Sequence, residues 1–188
     1  LSIGALTAAR ILARTLDIDG IATWSAGELR FSAGTIRNDG TFSFTGTGAD
    51  VNLGGANAFA NNGTFTKTGV GVLNFDALAF TSTGTLDVQQ GALEFDTMTH
   101  VLTGPVAVAG TLRLLGGSVT ASGTWSGAGA VQLSNGSLAV ATSLTIATSA
   151  FSQIGGTISG AGVLTITGAG TWSGGVMIGT GKIGRAHV

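Results

Sequence analysis

Two segments with the same pattern decide the fold: LNFDALAFTSTGTLDV at residues 73–88 and LEFDTMTHVLTGPVAV at residues 93–108. The hydrophobic positions of the first recur in the second at an offset of 20, and Asp76 recurs as Asp96. Other matches occur along the chain, such as GTFSFTGTG with GTFTKTGVG at an offset of 23. A recurring period of this length indicates a repeat architecture, in which one supersecondary unit stacks on the next.

A shorter unit lies inside the period: glycine, a small residue, then apolar, polar and apolar residues, as in GTLDV at 84–88 and GTLRL at 110–114. Alternation with a period of two is typical of a strand with one buried face. Neighbouring units begin six to eight residues apart, as at Gly34 and Gly40, which leaves no room for a helix between strands. At such tight corners we expect glycine to supply a positive φ.

Three short strands and three corners account for about 20 residues, so one repeat can close into one coil. The sequence therefore predicts an all-β fold, a parallel right-handed β-solenoid with about 20 residues and three short strands per coil. Each strand would pair with its equivalent about 4.8 Å away, and roughly nine coils would make a rod on the order of 40 Å long. The alternative is an antiparallel β-sandwich, whose strands usually recur every 8–12 residues.

The polar positions of the repeat support the solenoid. Between apolar neighbours, the alternation predicts outward-facing side chains at Glu28, Arg30, Asp87, Glu94, Arg113 and Gln132. The same alternation predicts that Leu112 and Val131 face inward. Charged residues placed at random would not fall consistently on the polar positions of the alternation.

Residues 1–181 are predicted to form a single solenoid, and both ends differ from the repeat. Residues 1–14 fit either a short amphipathic helix capping the rod or an irregular first coil. Residues 182–188, KIGRAHV, resemble the reading-frame translation of a common sequencing adapter, so we expect them to be an artefactual tail outside the fold.

The composition excludes several classes of protein. The chain has 188 residues, 33 glycines, one proline and no cysteine, and its formal net charge is −1. This rules out a disulfide scaffold, and the hydrophobic content of 44% argues against disorder. The charge balance does not suggest a nucleic-acid binder, and no apolar run reaches the length of a membrane helix. Charged residues make up only 9%, and between residues 97 and 181 the only one is Arg113, so a catalytic cleft there would lack ionisable groups.

Three motifs match functional patterns incompletely. Asp17, Asp19 and Glu28 have the first, third and twelfth positions of an EF-hand loop, but alanine stands where that loop needs glycine, which favours outward-facing carboxylates. The GTGKIG at 179–184 matches a phosphate-binding pattern without the helix that this pattern requires. His100 replaces a phenylalanine of earlier repeats and is expected to be a packed ring in a column of aromatic residues.

The 20-residue register predicts that Asp76 and Asp96 stack about 5 Å apart. Two interpretations apply: turn residues that accept backbone hydrogen bonds, or a weak calcium site with raised pKa values. The nearest repeat-equivalent base is Lys67. We favour the turn interpretation and predict no catalytic, cofactor-binding or metal-binding residue in this chain.

Two further features have structural interpretations. A step of 19 residues would place Glu94 beside Arg113 as a surface ion pair worth about 0–1 kcal/mol. Trp24, Trp125 and Trp172 share a Trp-Ser dipeptide and are expected to fill space where a coil changes shape, with sugar stacking on an exposed ring as the alternative.

The segments NNGTFTKTGVGVLNF (61–75), STGTLDVQQGALEF (82–95) and GTWSGAGAVQL (123–133) resemble the β-helical repeats of bacterial autotransporter passengers and filamentous-haemagglutinin-type adhesins. The resemblance covers most of residues 15–181. It implies an extracellular location on the bacterial cell surface, export across the outer membrane and a rod that displays other modules.

The sequence thus predicts a non-enzymatic stalk or passenger segment of a large adhesin-like surface protein. Its expected partners are cell-surface glycans or proteins, with no nucleic acid, no membrane insertion and no cofactor. Uncapped terminal coils are also expected to associate end to end. The alternatives are a glycan-binding solenoid module and a fragment of a carbohydrate-active β-helix enzyme.

Overall fold

The computed structural model describes residues 1–4 and 10–185, and throughout these the secondary structure is strands joined by corners, with no helix. The first eleven strands are β1 (Ser2–Ile3), β2 (Arg10–Leu12), β3 (Thr15–Ile18), β4 (Ile21–Phe31), β5 (Thr35–Asn38), β6 (Thr41–Asn52), β7 (Ala58–Asn61), β8 (Thr64–Lys67), β9 (Val72–Phe75), β10 (Ala79–Ser82) and β11 (Thr85–Val88). The other eleven are β12 (Ala92–Phe95), β13 (Thr99–Leu102), β14 (Val106–Val108), β15 (Thr111–Leu114), β16 (Ser118–Leu133), β17 (Ser137–Gln153), β18 (Thr157–Ser159), β19 (Val163–Ile166), β20 (Ala169–Trp172), β21 (Val176–Met177) and β22 (Lys182–Arg185).

The strands form three faces, and along each face they pair in parallel. On the first face β3 pairs with β5, β5 with β7, β7 with β10, and the ladder continues to β21. The second face includes β8, β11 and β22, and the third includes β9, β12 and β15. Successive partners are about 20 residues apart, and the chain makes about nine turns. The predicted parallel β-solenoid is confirmed, and pairing in the described residues is parallel throughout, unlike that of a sandwich.

The length of a coil varies along the rod. Asn38 and Asn61 are 23 residues apart at equivalent positions, whereas Glu94 and Arg113 are 19 apart. The longer coil contains residues 53–57, a five-residue corner between β6 and β7. The ladder of the third face is interrupted at this coil, because β4 pairs with β6 but β6 does not pair with β9.

Columns of apolar side chains fill the interior. Phe42 stacks on Phe65 with ring centroids 5.7 Å apart, and Phe75 packs on Phe95 at 6.0 Å. The inward positions predicted from the alternation are confirmed, since Leu112 and Val131 have no exposed surface. All six residues predicted to face outward are exposed or half-buried. Burial of such columns supplies the main favourable term in folding.

One inward column is polar. Asn38 donates from Nδ2 to Asn61 Oδ1 at 2.7 Å, and Asn61 donates to Ser82 Oγ at 2.9 Å. The same amides also donate to the carbonyls of Thr64 and Thr85, both at 2.9 Å. Because the N–H groups of these buried amides find partners along the axis, the column ties three coils together, although Asn38 Oδ1 has no partner in the described structure.

The expected role of glycine is wrong at the corner that joins the first and second faces. Gly40, Gly63, Gly84 and Gly104 stack there, and none of the four has a positive φ. A Cβ on Gly84 would instead lie 2.1 Å from the carbonyl oxygen of Gly63. Glycine is therefore required because neighbouring coils approach too closely for any side chain, although φ is positive at other corners, such as that of Gly91.

The ends of the rod also contain strands. For residues 1–14 the sequence allowed either a capping helix or an irregular first coil. In the structure β1 and β2 both pair with β4, while residues 5–9 lie outside the described part. The described residues of this segment therefore belong to a first coil. At the other end, β22 pairs with β19, so Lys182–Arg185 continue the second face. The artefactual origin of residues 182–188 stays a prediction.

Candidate functional site: an acidic corner

The corner that follows the third face carries one aspartate in each of two successive coils, Asp76 after β9 and Asp96 after β12. The side chain of Asp50, from β6 one coil earlier, also reaches this corner. We call these three residues the acidic corner. It is the one place among the described residues where the structure brings a strongly perturbed carboxyl group next to a second carboxylate.

Asp50 is the residue that sequence reasoning missed. It is only 5% exposed, and its Oδ2 accepts a hydrogen bond from the backbone N–H of Ala77 at 3.0 Å. The sequence held a signal: GADVN at 48–52 inverts the repeat unit found as GALEF at 91–95, so aspartate occupies a normally apolar position.

The local fold explains why a carboxylate stands at this position. One coil further on, the N–H of Asp96 donates to the carbonyl of Phe75 at 3.1 Å. At the interrupted part of the third face, the backbone of β6 does not form a ladder with β9. The Asp50 carboxylate replaces a missing backbone acceptor, because its Oδ2 receives the hydrogen bond from the corner amide of Ala77.

Burial raises the pKa of the Asp50 carboxyl from 3.8 to about 7, and the charge of Asp76 adds to the effect against the hydrogen bonds from the corner amides. Its Oδ1 is buried and has no hydrogen-bond partner in the described structure. A buried carboxylate with an unpaired oxygen favours its protonated form. At neutral pH Asp50 is therefore divided between the acid and the carboxylate.

Asp96 behaves as the turn residue that we favoured. Its Oδ1 accepts a hydrogen bond from the N–H of Thr97 at 2.8 Å, and Thr97 donates from its hydroxyl to the Asp76 carbonyl at 2.7 Å. Asp76 itself is exposed. Across residues 1–4 and 10–185, no three acidic or histidine side chains are grouped closely enough to hold a metal ion. The hydrogen bond from the Thr97 N–H thus supports the turn interpretation for Asp96.

His100 lies in the column of aromatic residues, as predicted. It is fully buried, and its ring centroid is 4.6 Å from that of Phe95. Nδ1 accepts a hydrogen bond from the N–H of Phe80 at 3.2 Å, so the ring proton belongs on Nε2, 3.3 Å from the Asp96 carbonyl. Burial lowers the pKa of His100 to about 4, against the opposing effects of the Asp96 carbonyl and the Asp96 charge. Protonation of Nδ1 would in addition place two donors face to face.

The sequence identified Lys67 only as the base nearest to Asp76 and Asp96, and did not predict the position that it has in the structure. It occupies an inward position of β8, between Phe44 of the preceding coil and Val88 of the next, and is fully buried. Its ammonium donates to the carbonyls of Gly69 and Gln90, the latter at 3.0 Å. Burial lowers the pKa of Lys67, and no carboxylate pairs with it in the described structure. The alternation of GTFTK should have predicted this inward position.

The tryptophans divide into two groups. Trp24 and Trp125 are buried and fill the core, as expected, so neither ring is available for sugar stacking. Trp172, in the last complete coil, is 61% exposed. The buried Nε1 of Trp125 has no hydrogen-bond partner in the described structure.

Both surface predictions about charge are confirmed. Arg113 and Glu94 are cross-strand neighbours, and Nη1 of Arg113 lies 2.7 Å from Oε1 of Glu94. Asp17, from the incomplete EF-hand pattern, faces outward and pairs with Arg37 at 2.9 Å. An exposed pair such as Asp17 with Arg37 contributes about 0–1 kcal/mol. The Glu94 side chain is only 12% exposed, so its pair with Arg113 is partly buried.

Comparison with known protein families, curated proteins and solved structures found no significant match. Within the described residues, no helix is long and apolar enough to cross a membrane.

Proposed function

We propose that this chain is a rigid spacer, a stalk segment of a large adhesin-like protein on the bacterial cell surface. The observation that carries the proposal is the stacking of about nine coils, in which the longest corner from β2 onward is residues 53–57. Each added coil lengthens such a rod by about 4.8 Å, and each contacts only its neighbours. The number of repeats therefore determines the length of the rod.

The surface chemistry supports the same role. The outward positions of the second face carry small hydroxyl residues, including Thr41, Thr64 and Thr85, which pair along one column. This polar but weakly charged surface keeps a rod in solution without creating a strong electrostatic field. The extracellular location rests on the resemblance of the repeats to those of autotransporter passengers and adhesins.

A second candidate is a glycan-binding module, which the exposed ring of Trp172 favours. An aromatic face on a rod surface can stack on a sugar ring, but only one of the three tryptophans is available for it. The enzyme alternative has no comparable support, because the acidic corner pairs its carboxylates with no base or nucleophile in the part of the chain described here.

The spacer function can be tested by surface display. A binding domain of known target is fused to the end of the rod, and capture of a target buried beneath a polymer layer is measured. Deleting residues 79–98 removes one repeat, because Ala79 occupies the same position as Thr99 one coil later. A flexible glycine-serine linker of roughly 60 residues, whose root-mean-square length of about 40 Å matches the length of the rod, is the control.

We expect capture to fall when one repeat is removed, and to be lower with the length-matched flexible linker than with the intact rod, since the free end of a flexible chain spends much of its time closer to the anchor than its root-mean-square length. Equal capture by all three would contradict the spacer. The isolated chain is also applied to a glycan array, where only background binding is expected. Specific binding that is lost in Trp172→Ala would favour the second candidate.

A further inference from the structure

The chain contains two Asn–Gly dipeptides, Asn62–Gly63 and Asn135–Gly136. Glycine after asparagine leaves the next backbone nitrogen unhindered, because there is no Cβ beside it. That nitrogen can attack the asparagine side-chain carbonyl. Whether it does so in a folded protein depends on whether the nitrogen and the amide are held by hydrogen bonds, and the two sites differ in this respect.

Asn62–Gly63 lies in the corner between the first and second faces, where every reacting group is engaged. The N–H of Gly63 donates to the Asn38 carbonyl at 2.9 Å. The side-chain amide of Asn62 donates to Asp39 Oδ1 at 2.8 Å, and its Oδ1 accepts from the Thr83 hydroxyl at 3.2 Å. The same backbone pattern holds at Gly40, Gly84 and Gly104, so it belongs to the corner type.

Asn135–Gly136 lies in a different corner, between β16 and β17, where the groups are free. In the described structure the N–H of Gly136 donates to no backbone or side-chain acceptor, and the Asn135 side chain makes no hydrogen bond. Asn135 is also exposed, so water reaches it. The third residue of the equivalent corners one coil to either side, Gly117 and Gly156, likewise has an unbonded N–H.

From this contrast we propose that Asn135 is a site of spontaneous deamidation in the folded protein, whereas Asn62 is protected. Water at the exposed Asn135 side chain takes the proton of the buried Gly136 N–H, and the Gly136 nitrogen attacks Asn135 Cγ. A new C–N bond closes a succinimide ring, and the C–N bond to the side-chain nitrogen breaks, releasing ammonia. Water then opens the ring at one of its two carbonyls, leaving aspartate or isoaspartate at position 135.

The product changes a region that is otherwise almost uncharged. It adds one negative charge between residues 97 and 181, where Arg113 is the only charged residue. Isoaspartate also lengthens the backbone by one carbon at a corner where space is short, since a Cβ on Gly136 would lie 2.5 Å from the Gly116 carbonyl oxygen. Deamidation at this corner would therefore loosen the stacking of β17 on β16 with age.

The test compares both sites in the same molecules. The purified 188-residue chain is incubated in its folded state at mildly alkaline pH and then digested. Each Asn–Gly peptide is quantified by mass spectrometry, with enzymatic methylation to identify isoaspartate. We expect deamidation at Asn135 to be roughly tenfold faster than at Asn62, because Asn62 must first lose hydrogen bonds that each slow the reaction severalfold.

Two controls keep the result interpretable. In chain unfolded by denaturant the two sites should react at similar rates, and Asn135→Gln should abolish the fast reaction while leaving Asn62 unchanged. Equal rates at the two sites in the folded chain, or a faster reaction at Asn62, would overturn the proposal. Intact Asn135 after the unfolded control has reacted completely would overturn it as well.

Discussion

Val131→Asp should destabilise the rod by roughly 4 kcal/mol or more, a large part of the total stability of an ordinary domain. Val131 is fully buried and pairs with Leu112 of the preceding coil and Phe151 of the next. An aspartate there would be surrounded by apolar side chains with no cation within the column. Chemical denaturation followed by circular dichroism measures the change.

The neighbouring position provides the matched control. Gln132 faces outward, and its cross-strand neighbour is Arg113, so Gln132→Asp should change the free energy of unfolding by no more than about 0.5 kcal/mol. Leu112→Asp should behave like Val131→Asp, since it lies in the same buried column. Unchanged cooperative unfolding in either inward variant would show that the register is wrong.

Asp50→Asn should raise the stability of the protein above neutral pH by up to roughly 4 kcal/mol. The Asp50 pKa is about 7 in the folded chain and near 3.8 in the unfolded chain. Between pH 3.8 and about 7 the folded chain binds more protons at Asp50 than the unfolded chain does. The contribution of Asp50 to stability is therefore greatest at low pH, falls as the pH rises from 3.8 to about 7, and stays low above pH 7. Asparagine keeps an acceptor for the Ala77 N–H but cannot ionise.

His100 acts in the opposite direction over nearly the same window. Its pKa is about 4 when folded and 6.5 when unfolded, so its contribution to stability is lost as the pH falls from 6.5 towards 4. In the unmodified chain the effects of Asp50 and His100 on the pH dependence of stability partly cancel. The Asp50→Asn variant should therefore lose stability clearly as the pH falls towards 4. The His100→Phe variant, which restores the phenylalanine of earlier coils, should instead gain stability as the pH falls.

The measurement is the free energy of unfolding at several pH values between about 4 and 8. Asp19→Asn serves as the control, because Asp19 is exposed and belongs to the first coil, far from the acidic corner. If Asp50→Asn and Asp19→Asn gave the same pH profile, the Asp50 carboxyl would not carry the raised pKa.

The solenoid was predictable because its physical cause is local. Period-two alternation interrupted every six to eight residues determines which side chains face inward, and the 20-residue repeat determines which strands meet. Residues that obey the alternation, such as Leu112 and Arg113, were therefore placed correctly. His100 could be assigned to its column for the same reason, since its repeat equivalents are Phe80 and Phe59.

The acidic corner was not predictable in the same way, because it depends on a break in the repeat. The extra residues at 53–57 interrupt the third face, and only the folded chain shows which amides then need an acceptor. The repeat alignment alone paired Asp76 with Asp96 and overlooked Asp50. Lys67 was a different failure, because its inward position follows from the alternation of GTFTK, but the sequence analysis named it only as the nearest base.

The corner glycines show a third kind of limit. Their enrichment was read correctly as a sign of tight corners, but the usual reason for glycine, a positive φ, does not apply at Gly63 or Gly84. Contact between successive coils is the cause there, and a distance between coils cannot be read from the local sequence.

The measurement that tests the account most directly is disulfide formation between engineered cysteines, since the natural chain has none. Thr66 and Asp87 are cross-strand partners one coil apart on the outside of the second face, and Ala107 is the partner of Asp87 one coil further on. Parallel neighbours lie about 4.8 Å apart, within disulfide range, whereas two coils span about 10 Å, which exceeds it. We predict rapid oxidation of the pair Thr66→Cys with Asp87→Cys and none of Thr66→Cys with Ala107→Cys. Failure of the first pair, or equal oxidation of both, would contradict the stacked parallel register.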